Sequence, residues 1–244
     1  MKEIKLVALD MDGTLLNSEH AISEANRKAI KAAQEKGVHI VISTGRSIHT
    51  CRKHAESLNL SSYVVTVNGS EIWDSEWNLI EQNTIPEEHM KLMWELKEKH
   101  NTNYWAISSE KVWNDEFPFD DLSSHTWLKF GFHVEDDEAR EEIRRLLSNH
   151  PELEVSNSSL INLEINAIGI NKANGLRKVC DKLGITLDNV LAVGDSLNDY
   201  AMIVESGVGV AMGNAQEKVK EVADWVTDTN DEDGVAKAIE KFVL

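Results

Sequence analysis

The chain has 244 residues, 41% of them hydrophobic and 27% charged, and 42 Asp and Glu against 25 Lys and Arg give a net charge of −17. No apolar run approaches the roughly 18 residues that cross a membrane, the apolar stretch near Met1 is too short for a secretory signal, and so acidic a chain repels DNA and RNA. A cytoplasmic globular protein with no membrane or nucleic-acid partner is expected, and the distant Cys51 and Cys180 predict neither a disulfide nor a zinc site.

Residues 4–9 are almost continuously apolar, as a parallel strand covered on both faces requires. Ser23 is placed to cap a helix with apolar positions at Ala25, Ala29, Ile30 and Ala33, which Gly37 ends. A strand is predicted over 38–42, a helix from about Ser47, a strand over 63–67, and a hairpin turn at Asn68-Gly69. Residues 84–166 then break the composition. They hold all three prolines (Pro86, Pro118, Pro151), one glycine of thirteen (Gly131), and eight basic against eighteen acidic side chains. An inserted domain over 84–166 is expected, between the two parts of a core at 1–83 and 167–244.

Within the insertion the pattern predicts a helix from Pro86 to about His100, strands over 103–108 and 111–114, and a solvated loop over 115–126. A strand over 127–134, a helix from about 136 to 149, and strands near Leu153 and over 160–165 complete an antiparallel α+β unit. Beyond it, a helix over 172–183 is apolar at Ala173, Leu176, Val179, Cys180 and Leu183 and stops at Gly184 before a strand over 190–193. Asp231-Glu232-Asp233 reads as the acidic start of a last helix. The flanking parts alternate strand and helix, so the expected fold class is α/β, a Rossmann-like parallel sheet with helices on both faces. Ligands of such sheets bind at the carboxyl ends of the strands.

Four motifs fall at that rim. In Asp10-Met11-Asp12-Gly13, one carboxylate can attack while its neighbour moves a proton, and the glycine turns the chain away. Ser43-Thr44-Gly45-Arg46 offers a hydroxyl and backbone N–H groups as a phosphate cradle. Lys172 opens a helix whose dipole it opposes, so another partner is needed to place it there. Gly194-Asp195-Ser196-Leu197-Asn198-Asp199 adds two acids. Asp10, Asp12, Asp195 and Asp199 at one edge repel one another unless a cation sits among them, and all-oxygen ligands favour Mg²⁺ shared with a phosphate. The nine histidines make no HxH or HExxH spacing and are expected at surface or partly buried positions. Of seven tryptophans, most are expected in the core, with one or two free to stack on a substrate ring.

Taken in order, these motifs, with Asn68-Gly69 and Gly209-Val210-Ala211-Met212-Gly213-Asn214-Ala215, resemble the haloacid dehalogenase-like hydrolases, and within them the Cof-type phosphatases whose cap is inserted before the lysine. The resemblance implies that Asp10 is the nucleophile and becomes an aspartyl phosphate. Asp12 is then the acid that protonates the leaving alcohol and the base that activates water. It also implies that Asp10, Asp195 and the main-chain carbonyl of Asp12 hold the metal, with Asp199 steadying the site from behind. Thr44, Gly45, Lys172 and Asn198 are implied to hold the phosphate. The implied activity is Mg²⁺-dependent hydrolysis of small phosphorylated metabolites: sugar phosphates, nucleotide-like monoesters or cofactor precursors. A phosphosugar mutase is one alternative. A non-enzymatic module switched by phospho-Asp10 is the other, and Asp12 and the long insertion argue against it. The sequence leaves the oligomeric state open.

Overall fold

The computed structural model describes residues 3–244. A parallel sheet begins with β1 (Leu6–Leu9), α1 (Glu24–Glu35), β2 (His39–Ser43), α2 (Ile48–Ser57) and β3 (Val64–Thr66). Ser23 caps α1 by accepting the amide of Asn26 at 3.1 Å. β4 (Glu71–Trp73) and β5 (Leu79–Gln82) then fold back antiparallel. The hairpin turn expected at Asn68-Gly69 implies a strand after it, and β4 is that strand; β5 was not predicted, because at four residues it is too short for an alternation to register.

Next come α3 (Glu87–His100), β6 (Asn103–Ser108), β7 (Val112–Trp113), β8 (Trp127–His133), α4 (Asp137–Ser148), β9 (Leu153–Ser156) and β10 (Asn162–Ala167). Their strands form a separate antiparallel sheet in the order β7-β6-β8-β10-β9. The chain returns through α5 (Lys172–Leu183), β11 (Val190–Gly194), α6 (Tyr200–Glu205), β12 (Val208–Ala211), α7 (Glu217–Lys220), β13 (Trp225–Val226) and α8 (Gly234–Phe242). The first sheet thus reads β13-β12-β11-β1-β2-β3-β4-β5, parallel from β13 to β3.

Successive residues of β1 go to opposite faces, and each face has a core. Val7 and Leu9 join Ile30, Cys51 and Ile239 from α1, α2 and α8, whereas Leu6 and Ala8 join Leu176, Val179 and Met202 from α5 and α6. Helices cover the second sheet on one face only, where Phe130, Phe132 and Ile165 pack on Met90 and Met93 of α3 and Ile143 and Leu147 of α4. Its other face carries Trp105, Ile107, Lys129, Gly131 and Glu164. Of these, Ile107, with Leu128, meets Val67 at the end of β3.

Three local expectations are corrected. Residues 115–126 are not merely a solvated loop: Phe117 stacks on Trp94 with ring centroids 4.4 Å apart, and Leu122 is buried in a 3₁₀ turn. The last helix starts at Gly234 rather than in the acidic run, and Asp231 instead accepts the Ser18 amide and hydroxyl at 2.8 and 2.6 Å. His89 is buried rather than at the surface or partly buried; its Nε2 lies 3.0 Å from Glu152 and its ring packs edge-on to His150. Among the described residues no helix is long and apolar enough to cross a membrane.

Candidate active site

The carboxyl ends of β1, β2 and β11 bring the motifs together. Asp10 leaves β1 with its amide bonded to Val193 O at 3.1 Å, and Gly13 turns the chain back at φ +77°. A Cβ on Gly13 would lie 2.7 Å from Asp195 Oδ2, so only a glycine leaves room for that carboxylate. Asn171 caps α5 by accepting the Asn174 amide at 3.0 Å and sets Lys172 at the first helical position. The fully buried Lys172 Nζ lies 2.6 Å from Asp10 Oδ1 and 2.6 Å from Asp199 Oδ1. Asp199 Oδ2 accepts the amides of Asp195 and Ser196 at 2.9 and 3.0 Å, so both of its oxygens are engaged. Asp195 takes a hydroxyl on each oxygen, from Thr14 at 3.3 Å and Ser196 at 2.9 Å.

The charges are unbalanced. Burial, and then the Asp199 charge, push the Asp10 carboxyl well above the usual range against the pull of Lys172. Burial and Asp199 likewise push Asp195 up to about 7. Burial alone would lower Lys172, but the charges of Asp10 and Asp199 more than reverse that, and it stays an ammonium. One ammonium thus faces three carboxylates whose oxygens lie within 4.8 Å of one another. The donors are all hard oxygens, and the Gly13 turn keeps space beside Asp195. These residues fit a small divalent cation such as Mg²⁺.

The remaining predicted residues surround this cluster. Arg46 grips Asp12 through Nε at 2.7 Å and Nη2 at 2.5 Å, a bidentate pair at the pocket mouth. Thr44 is buried and bonded through its amide to Val65 O at 2.9 Å, while its Oγ1 accepts the Arg46 amide at 3.2 Å. Asn198 Nδ2 lies 3.4 Å from Asn68 Oδ1. Asp10, Asp12, Gly45, Asp195 and Asn198 line one cavity of about 430 Å³, a size suited to a small metabolite. Thr44 and Lys172 are buried outside that lining.

Sequence reasoning missed the other wall. Trp105, Ile107, Val112, Lys129, Ser158 and Glu164, all from the second sheet and its loops, line the same cavity. Lys129 Nζ donates to Gly45 O at 2.7 Å and lies 3.2 Å from Glu164, both side chains being buried. Burial pushes Glu164 up, but Lys129 and hydrogen bonds from Asn68 and Ser158, each 2.7 Å, more than compensate, and its carboxyl ends below the usual range. The signal available was a lysine and a glutamate inside the apolar runs Trp127-Leu128-Lys129-Phe130 and Leu163-Glu164-Ile165. Arg46 was visible in its motif, but its partner was not.

Two acids two residues apart, beside a lysine-anchored acidic cluster at a parallel-sheet rim, are an arrangement that can supply a nucleophile and a proton-transfer group for phosphoryl transfer. A sequence profile of the haloacid dehalogenase-like hydrolases matches residues 7–239, and the chain belongs to that family. It is 60% identical over 242 residues to the Bacillus subtilis (strain 168) 5-amino-6-(5-phospho-D-ribitylamino)uracil phosphatase YcsE, covering 99% of this chain and 97% of that protein. A haloacid dehalogenase-like hydrolase from B. subtilis superposes with a TM-score of 0.89 at 29% identity, covering 97% of this chain and 99% of the other. The subclass IIB sugar phosphatase BT4131 superposes with a TM-score of 0.86 at 28% identity, covering 98% of each chain. The switch-module alternative is set aside by this membership.

Proposed function

We propose that the chain is a Mg²⁺-dependent phosphatase of 5-amino-6-(5-phospho-D-ribitylamino)uracil or a close chemical relative. The match to YcsE spans 99% of this chain at 60% identity and supports this substrate. The observation that carries the chemistry is the buried contact of Lys172 with Asp199 and with Asp10, which itself lines the cavity together with Asp12.

In this reading Asp10 attacks phosphorus, the phosphate–alcohol bond breaks, and the departing oxygen takes a proton from Asp12. Asp12 then takes a proton from water. The water oxygen displaces Asp10 from phosphorus, releasing inorganic phosphate and restoring the carboxylate. Arg46 must let go of Asp12 before that side chain reaches a leaving oxygen. Thr44, Gly45, Lys172 and Asn198 hold the phosphoryl oxygens, whose charge persists throughout transfer. Asp10, Asp195 and the Asp12 carbonyl would hold Mg²⁺, which offsets that charge, and the doubly engaged oxygens of Asp199 suit a supporting role. Residues 84–166 serve as the cap over a core of 1–83 and 167–244. The cytoplasm is the proposed location, in keeping with the two buried, unpaired thiols of Cys51 and Cys180.

The test is phosphate release by the purified protein with and without Mg²⁺. Wild type is expected to turn over only with the ion, and Asp10→Asn to lose at least about a thousandfold in kcat with an unchanged circular dichroism spectrum. Turnover retained by that variant removes Asp10 from the nucleophile's role.

A further inference from the structure

We propose that Trp105, seated against Gly131, is the platform on which the flat ring of the substrate stacks, and is thereby a specificity-determining residue. The substrate's identity rests on the reading above; the placement of the ring rests on the following observations.

Six of the seven tryptophans are committed elsewhere. Trp73, Trp77 and Trp225 pack on the first core, and Trp94, Trp113 and Trp127 on the second. Trp105 alone lines the cavity that holds Asp10 and Asp12. It is also held in place. In the ladder, Gly131 of β8 pairs with Trp105 of β6 on one side and with Glu164 of β10 on the other, so the three form a row on the face turned away from the second core. A Cβ at residue 131 would fall 2.1, 2.3 and 2.4 Å from three indole atoms. Gly131 does not adopt a positive φ, so the backbone conformation does not call for a glycine there; the room it leaves is taken by the indole.

The polar groups on this wall are already satisfied. Lys129 is held by Gly45 O and Glu164, and Glu164 is further held by Asn68 and Ser158. Offering them to a ligand would cost the contacts that join the two sheets. What this wall leaves for a ligand is an indole beside Ile107 and Val112, a flat apolar surface suited to a conjugated ring and not to a polyhydroxylated one. Phosphate chemistry on one wall and ring stacking on the other would hold the two ends of a ring-bearing phosphate ester.

The experiment compares Trp105→Ala and Trp105→Phe on two compounds, 5-amino-6-(5-phospho-D-ribitylamino)uracil and D-ribitol 5-phosphate, the same arm without the ring. Removing a stacking aromatic weakens binding by about tenfold to a hundredfold. Trp105→Ala should therefore lose about that much in kcat/KM on the ring-bearing compound, mostly through KM, stay within about twofold on ribitol phosphate, and recover largely in Trp105→Phe. Gly131→Ala should reproduce the Trp105→Ala pattern by evicting the indole. Equal losses on both compounds, or no loss on the first, overturn the proposal. Calorimetry with the phosphate-free ring product decides it independently of turnover: binding that weakens about tenfold in Trp105→Ala upholds the ring site even if no phosphate is released, which would sink the hydrolytic reading instead. Affinity unchanged by that substitution sinks the ring site alone.

Discussion

A lysine in the first turn opposes the helix dipole, and Lys172 is fully buried as well, so two costs fall on one side chain. Its contacts with Asp10 and Asp199 offset both, and Asp199 is itself held in place by the amides of Asp195 and Ser196. Among the described residues Asp195 forms no ion pair of its own. Burial and the Asp199 charge push its carboxyl up to about 7 from an ordinary 3.8, so the folded state holds its proton across a window where the unfolded state has lost it. Metal-free protein should therefore lose stability as pH rises from about 4 through about 7. Millimolar Mg²⁺, which binds the deprotonated form, should flatten that slope. Melting temperatures across this window with and without the ion check this; a metal-free profile that rises with pH contradicts it. The placement of Asp10, Lys172 and Asp195 was legible because each follows a strand or starts a helix within a motif, and Asp12 lies two residues on in the same turn as Asp10. The Arg46–Asp12 pair was not, since it depends on which two loops meet across 34 positions of sequence.

The β3–β4 hairpin shows what an element conceals. Asn68-Gly69 announced the turn, yet three successive residues, Val67, Asn68 and Gly69, sit at φ of +50°, +59° and +107°. A β-branched residue in that region is strained, and nothing local to the sequence predicts it. The offsetting contacts are tertiary. Val67 donates its amide to Arg46 O at 2.9 Å and packs on Ile107 and Leu128, while Asn68 Nδ2 reaches Glu164 at 2.7 Å and Asn166 Oδ1 at 3.2 Å. Asn166 Nδ2 in turn lies 3.0 to 3.1 Å from Val67 O, Ser70 Oγ and Leu128 O. Asn68→Ala loses the bonds to a buried carboxylate and keeps the unfavourable φ, and should destabilise by about 2–4 kcal/mol. Asn68→Gly loses the bonds but relaxes the backbone and should cost about 1 kcal/mol less. Urea denaturation of both variants measures the difference; equal losses would mean that the backbone conformation carries no penalty.

At the scale of the molecule, the composition break at 84–166 falls on the stretch that holds α3, α4 and the antiparallel sheet, but the way the two sheets join was beyond reach, because it rests on single long-range contacts. The join includes a small apolar contact among Val67, Ile107 and Leu128 and a wider set of hydrogen bonds: Lys129 bridges Gly45 O and Glu164, Asn68 reaches Glu164, Asn166 donates to Val67 O, the Asn198 amide donates to Asn157 O and the Ser196 hydroxyl to Ser158 O. Removing one member of a buried ion pair strands the other. Lys129→Ala should lower stability by about 3 kcal/mol, whereas Lys129→Met with Glu164→Leu should lower it by less than that single change. A double-mutant cycle by chemical denaturation tests this, and additive single effects would show that the two charges do not act as a unit.

A boundary with so small an apolar contact, held otherwise by hydrogen bonds, lets the halves diverge at different rates. A chain of this design could exchange its roof for one of another shape and keep its floor, provided the newcomer brought a cation to the Gly45 carbonyl and an acceptor to Asn68.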